Sequence, residues 1–210
     1  MQLVQEGKLR LDDPADRYIP ELRDLHGYSS QYRFTLRQLA SHTSGLDREL
    51  ILKGANTGPV DQWENKALAC IPLTSFYGFP GSQFEYSNIG FALLGLALER
   101  AAGVPFTQLV QDRIFTPLHM DNTFFAVPDD KRHQLAHGIE NRTAGQINTR
   151  LPMMQMEGMG YHVPSGGIWS TPSDLAKFLI ALTQTDALLR PKSVREMLSV
   201  PLGGETMGLE

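Results

Sequence analysis

The chain has 210 residues, 41% of them hydrophobic, enough for one domain or a domain and a half with a sizeable core. A formal charge of -4, with Lys and Arg scattered singly, leaves no electrostatic footprint for nucleic acid and disfavours that function. The single cysteine, Cys70, excludes an internal disulfide, and its setting in Ala67-Leu68-Ala69-Cys70-Ile71 reads as a small buried hydrophobe rather than a catalytic thiol.

In chain order, Leu3 and Val4 look like the last turn of an apolar helix capped by Gly7, with Lys8 to Pro14 as a polar exit. The first residues lack the basic region and small-residue cleavage site of a signal peptide, and no apolar run approaches the roughly 20 residues of a membrane span. Thr35 caps a helix through Ala40, with Gln38 completing a capping box, and Asp61 with Glu64 opens another, apolar at Trp63, Ala67, Leu68 and Ile71.

The stretch from Pro80 to Asn88 is the most informative. It is a turn running into Tyr86-Ser87-Asn88, followed by an apolar run to Ala102 that reads as a buried helix stopped by Gly103, with Ser87 as its N-cap. A phenol and a carboxamide two positions apart in extended chain point to the same side and can serve one substrate. On these residues alone, ordinary packing of Tyr86 and a turn bond from Asn88 remain the commoner outcome.

Beyond it, Phe106 to Phe115 reads as a helix ending before Pro117, and Thr123 to Val127 as a strand. A hairpin is expected between Gln134 and Thr149, where Gly138 and Gly145 stand. Thr171-Pro172-Ser173-Asp174 opens a helix with a buried stripe of Leu175, Phe178, Leu179 and Leu182, and Pro191 to Leu198 forms a last short one. Met153 to Met159 reads as core packing or an adaptable pocket wall. No linker or repeat divides the chain. The expected architecture is mainly helical with short β hairpins.

Complete catalytic sets are missing. There is no Gly-x-Ser-x-Gly elbow, phosphate loop or zinc spacing; His133 and His137 stand four apart, but Gly138 breaks the helix that would hold both on one face. His42 between Ser41 and Ser44 reads as structural, and His162 with Ser165 near Gly166 and Gly167 is a weak cleft signal.

Taken together and in order, several segments resemble the serine β-lactamase-related hydrolases, the group of class C β-lactamases, D-alanyl-D-alanine carboxypeptidases and esterases. They are Leu3 to Pro14, Leu39-Ala40-Ser41-His42-Thr43-Ser44-Gly45-Leu46, Phe84 to Asn88, Thr116-Pro117-Leu118-His119-Met120 and Ser165 to Leu175. The resemblance implies the helical region of an α+β β-lactamase/transpeptidase-like fold with most of its antiparallel sheet missing, so residues 1–210 form a single partial domain truncated at both ends. Apolar faces meant for that sheet would stay exposed.

It further implies an acyl-enzyme hydrolase of amide, β-lactam or ester, with Tyr86 and Asn88 as catalytic residues, no cofactor or metal, and a small-molecule or peptide acyl substrate. Family resemblance favours a periplasmic or extracellular location. Members carry a nucleophilic serine in an S-x-x-K motif and a later K-T-G or H-x-G strand, and this sequence contains none of these. The cation nearest downstream of Tyr86 is Arg100, most of a helix away, so no neighbour in sequence is expected to act on the phenol. The chain is therefore expected to be inactive as it stands. The alternative is a non-catalytic peptidoglycan- or protein-binding module on the same scaffold.

Overall fold

The computed structural model describes residues 1–50, 52–136 and 158–199. The hairpin read between Gln134 and Thr149, most of the methionine-rich stretch, His137 and the tail from Pro201 lie outside the described residues, which otherwise fold as short helices joined by structured turns.

Helix α1, Gln2–Gln5, ends as the sequence predicts. Gly7 takes a left-handed φ of 70°, its N–H bonds the Val4 carbonyl, and the Lys8 N–H bonds that of Leu3, a double closure that satisfies carbonyls the helix leaves unpaired. Helix α2, Leu36–Ala40, begins with the expected capping box between Thr35 and Gln38. Helix α3 differs from expectation. The Pro59 carbonyl accepts the Gln62 N–H at 3.1 Å, tightening Val60–Gln62 into a 3-10 turn, so α3 spans Trp63–Cys70 without a side-chain cap.

Helix α4, Asn88–Ala102, is the axis of the core. Ser87 Oγ accepts the Gly90 N–H at 3.0 Å, and Gly103, at a φ of 72°, closes the far end. Ile89, Ala92, Leu93, Leu96 and Ala97 are fully buried; each leucine side chain so removed from water contributes about 1.5–3 kcal/mol. The Pro164 ring packs directly on this helix: a Cβ on Gly95 would lie 2.5 Å from Pro164 Cγ, so the contact requires glycine. Trp63 adds an edge-to-face contact with Phe106 at 5.7 Å.

The segment after Pro105 is α5, Phe106–Val110, which widens into a π-helical turn, Gln111–Phe115, because the Thr116 N–H reaches back five residues to the Gln111 carbonyl. The strand expected at Thr123 to Val127 is reduced to one antiparallel bridge, Phe124 with Trp169, closed by two bonds of 2.9 and 2.8 Å. No second strand is present beside it among the described residues, so the ladder goes no further.

Val163–Gly166 forms helix α6, after which Thr171 caps α7, Pro172–Thr183, accepting the Asp174 N–H at 3.3 Å. The predicted stripe on α7 is only half buried. Ala181 and Leu182 join Leu188 and Leu189 in a small second cluster, and Phe178 leans on both clusters, but Leu175 and Leu179 are 49% and 54% exposed, with Ile180 beside them at 50%. Nothing among the described residues covers that face. Helix α8, Pro191–Met197, closes the small cluster. A cavity of about 270 Å³ lies at the seam between the clusters, lined by Leu3, Leu98, Phe106, Ile114 and Leu182.

Candidate active site

Tyr86 lies in the extended entry to α4, and its surroundings are built by the loop from Ser41 to Leu50. Two features shape that loop. Leu46 pairs with Phe76 in an isolated bridge, with Asp47 N–H on the Ser75 carbonyl and Tyr77 N–H on the Gly45 carbonyl. Gly45 itself has a φ of 74°, and a Cβ there would strike the Gly78 carbonyl.

His42, read from sequence as structural, is the residue that grips Tyr86. It holds a left-handed φ of 53°, rare for a residue with a side chain, and is 6% exposed. Its carbonyl accepts the Glu85 N–H at 2.7 Å and its Nδ1 accepts the Ser87 N–H at 3.1 Å, so it holds the backbone on both sides of Tyr86. The imidazole also stacks on the Tyr86 ring at 4.3 Å. An accepting Nδ1 requires the neutral ring, and burial, reinforced by the nearby Arg48 charge, pushes its pKa down to about 4.

Arg48 adds a contact that the sequence did not disclose. Its guanidinium lies over the Tyr86 ring, 4.8 Å from the centroid. A cation does stand beside Tyr86, supplied from upstream by the loop rather than downstream by the helix.

Asn88 is the first residue of α4, its N–H donated to the Arg48 carbonyl at 3.0 Å. Its side-chain Nδ2 donates to Glu49 Oε1. A carboxylate only accepts, so the amide NH₂ faces Glu49, and Oδ1 has no bond among the described residues. The second Glu49 oxygen accepts the Tyr161 hydroxyl at 2.6 Å and lies 3.1 Å from His162 Nε2. Burial lowers the His162 pKa against the opposing pull of Glu49, and burial with the Glu49 bond raises that of Tyr161.

Tyr86 and Asn88 thus meet consecutive residues of one loop, Arg48 and Glu49. The weak signal at His162 and Ser165 resolves into a contact with Asn88 through Glu49, and Ser165 Oγ sits 3.3 Å from His162 Nδ1. Arg48, Glu49 and Tyr161 carried no signal in sequence, because the bonds that reveal them span 39 and 112 positions. Cys70 is fully buried with its thiol pushed up to about 11, which fits the inert reading. Among the described residues no group of three or more His, Cys, Asp or Glu could hold a metal, and no single helix is long and apolar enough to cross a membrane.

The arrangement offers a tyrosine ring in contact with both an imidazole and a guanidinium, beside a carboxamide whose oxygen has no bond among the described residues. Sequence comparison matches residues 1–209 to the beta-lactamase family. The chain is 32% identical over 200 residues to a D-alanyl-D-alanine-carboxypeptidase/endopeptidase, AmpH, of Escherichia coli K12, covering 94% of the chain and 48% of the relative. It is 29% identical to beta-lactamase-like protein 2 of Dictyostelium discoideum, covering 94% of the chain and 36% of the relative. The chain thus spans half or less of these relatives' lengths. A beta-lactamase/D-alanine carboxypeptidase from Yersinia pestis, solved with citrate, superposes with a TM-score of 0.70 at 29% identity, over 95% of this chain and 54% of that one. The helical architecture is that of the helical part of this fold, and the chain belongs to the beta-lactamase family of hydrolases.

Proposed function

We propose that this chain provides the Tyr-x-Asn portion of a serine acyl hydrolase site, in which Tyr86 takes part in proton transfer at a nucleophilic serine and Asn88 binds the substrate. The observation that carries the reading is the grip on Tyr86: His42 bonds the backbone on both sides and stacks on the ring, an arrangement more rigid than a surface tyrosine needs.

A serine hydroxyl becomes a competent nucleophile when a base takes its proton, and a tyrosine, with a usual pKa of about 10, serves as that base only where cations favour its anion. In the family the lysine of the S-x-x-K motif supplies that cation or is itself the base. Asn88 Oδ1, unbonded among the described residues, can accept an N–H from an amide. The substrate class is an acyl compound, whether amide, β-lactam or ester, and the peptidase relative favours a D-alanyl peptide amide.

No serine in the sequence has a lysine three positions on, so Tyr86 serves a nucleophile outside these residues, and the 210-residue chain is inert on its own. The test is turnover of nitrocefin and of a short-chain p-nitrophenyl ester by the chain. Rates equal to buffer are expected. Turnover that disappears in Tyr86→Phe would overturn the inert reading and locate a nucleophile within the chain.

A further inference from the structure

Glu49 is held in a way that neutralising a charge does not require. Its carboxylate accepts from three groups, Asn88 Nδ2, the Tyr161 hydroxyl and His162 Nε2. Asn88 and Tyr161 are neutral donors, and burial disfavours the charged form of the His162 ring against the opposing pull of Glu49. Among the described residues no lysine or arginine pairs with Glu49, and Arg48, its neighbour in sequence, is turned onto the Tyr86 ring instead. The side chain is 42% exposed.

A carboxylate offers about four lone-pair positions, and three are occupied, so one acceptor position remains on a fixed, oriented negative charge. It adjoins Asn88, whose Oδ1, unbonded among the described residues, adds a second acceptor. Two acceptors, one of them anionic, with a solvent-open approach fit a donor that is cationic and carries several hydrogens. A primary ammonium is such a group, with three donors and no acceptor.

We propose that Glu49 is a specificity residue that receives a protonated primary amine of the substrate, shared with Asn88 Oδ1, so that the site favours acyl substrates bearing a free amino group over their acylated counterparts. The inference rests on the reading of Asn88 as a substrate-binding residue. Tyr161 and His162 act through Glu49 as positioning residues: they fix the rotamer of the carboxylate and leave its charge intact.

The test is a titration of the 210-residue chain with D-alaninamide and, separately, with N-acetyl-D-alaninamide at about pH 6.5, where an α-amino group is protonated. Binding is read from the Asn88 side-chain ¹⁵N–H signals and repeated on Glu49→Gln, which keeps size and acceptor oxygen but not charge. The expected result is at least a tenfold preference for the free amine, with the Asn88 signals shifting, and loss of that preference in Glu49→Gln. Equal binding of the two compounds, a preference that survives in Glu49→Gln, or binding of neither overturns the proposal. The comparison of the two compounds on the unaltered chain decides the matter even if the variant folds poorly. Equal binding with Asn88 signals still shifting would remove the role of Glu49 and leave the hydrolase reading intact; that reading has its own separate readout, turnover.

Discussion

Helices α4 and α7 start alike and end differently. Each opens with a hydroxyl cap, Ser87 and Thr171, and each carries a long apolar stripe. Yet α4 is wrapped by α2, α3, α5 and α6, whereas α7 buries one edge of its stripe and leaves Leu175, Leu179 and Ile180 in water. Caps and periodicity define where a helix runs; whether its apolar face is covered depends on what the rest of the fold brings to it.

The largest effect that would sharpen this contrast is truncation within each stripe. Leu96→Ala, fully buried in α4, is expected to cost about 2–5 kcal/mol, while Leu179→Ala in α7 stays within about 0.5 kcal/mol, both read from urea unfolding. A Leu179→Ala loss as large as that of Leu96→Ala would mean that α7 is covered in solution, and the contrast would fail.

Cap removal is the next largest. Ser87 Oγ accepts from Gly90 and also donates to the Asp47 carbonyl at 2.7 Å, so Ser87→Ala removes two bonds and should cost about 1–2 kcal/mol. Thr171→Ala removes one cap bond, at 3.3 Å, and should cost nearer 0.5 kcal/mol by the same principle, about the low end for caps. Equal melting-temperature losses in the two variants would argue that the Asp47 bond contributes nothing.

The smallest effect separates the helices by pH. Glu99, in the last turn of α4, has its pKa raised first by burial and further by the neighbouring Glu64. Its protonated form favours the fold, so its contribution is full below pH 4.5 and is lost as pH rises through the raised value. Asp174, in the first turn of α7, is pushed up by burial but brought below its usual value by Lys177, Asn122 and Thr123, so its contribution holds above pH 3.8 and falls away on acidification. Glu99→Gln should therefore melt higher than the parent chain at pH 7, with the gap closing towards pH 4, whereas Asp174→Asn should melt lower at pH 7. A Glu99→Gln gap that does not change between those pH values would show that the fold does not raise the pKa of this carboxyl.

What the sequence discloses follows the range of the physics involved. The caps at Thr35, Ser87 and Thr171 and the closure at Gly7 were legible because each is a bond within a few residues. The π turn after Val110 and the 3-10 entry to α3 were not, since both depend on which carbonyl an N–H reaches. The strand at Phe124 contracted to one rung because strand propensity has no meaning without a partner, and the exposure of Leu179 has the same origin. At the site, Tyr86 and Asn88 stood out through motif spacing, but Arg48 and Glu49 are ordinary surface charges until the loop from Ser41 brings them against α4.

Cys70 gives this chain a built-in clock. It is the one thiol in the sequence, lies at the end of α3 against the core, and its acidity is suppressed by burial. A thiol reagent consumes thiolate that it can touch, so each labelling event counts one opening of the core around α4 and is blind to the motions of α7. Labelling kinetics would thus time the breathing of one half of the molecule without any engineered probe.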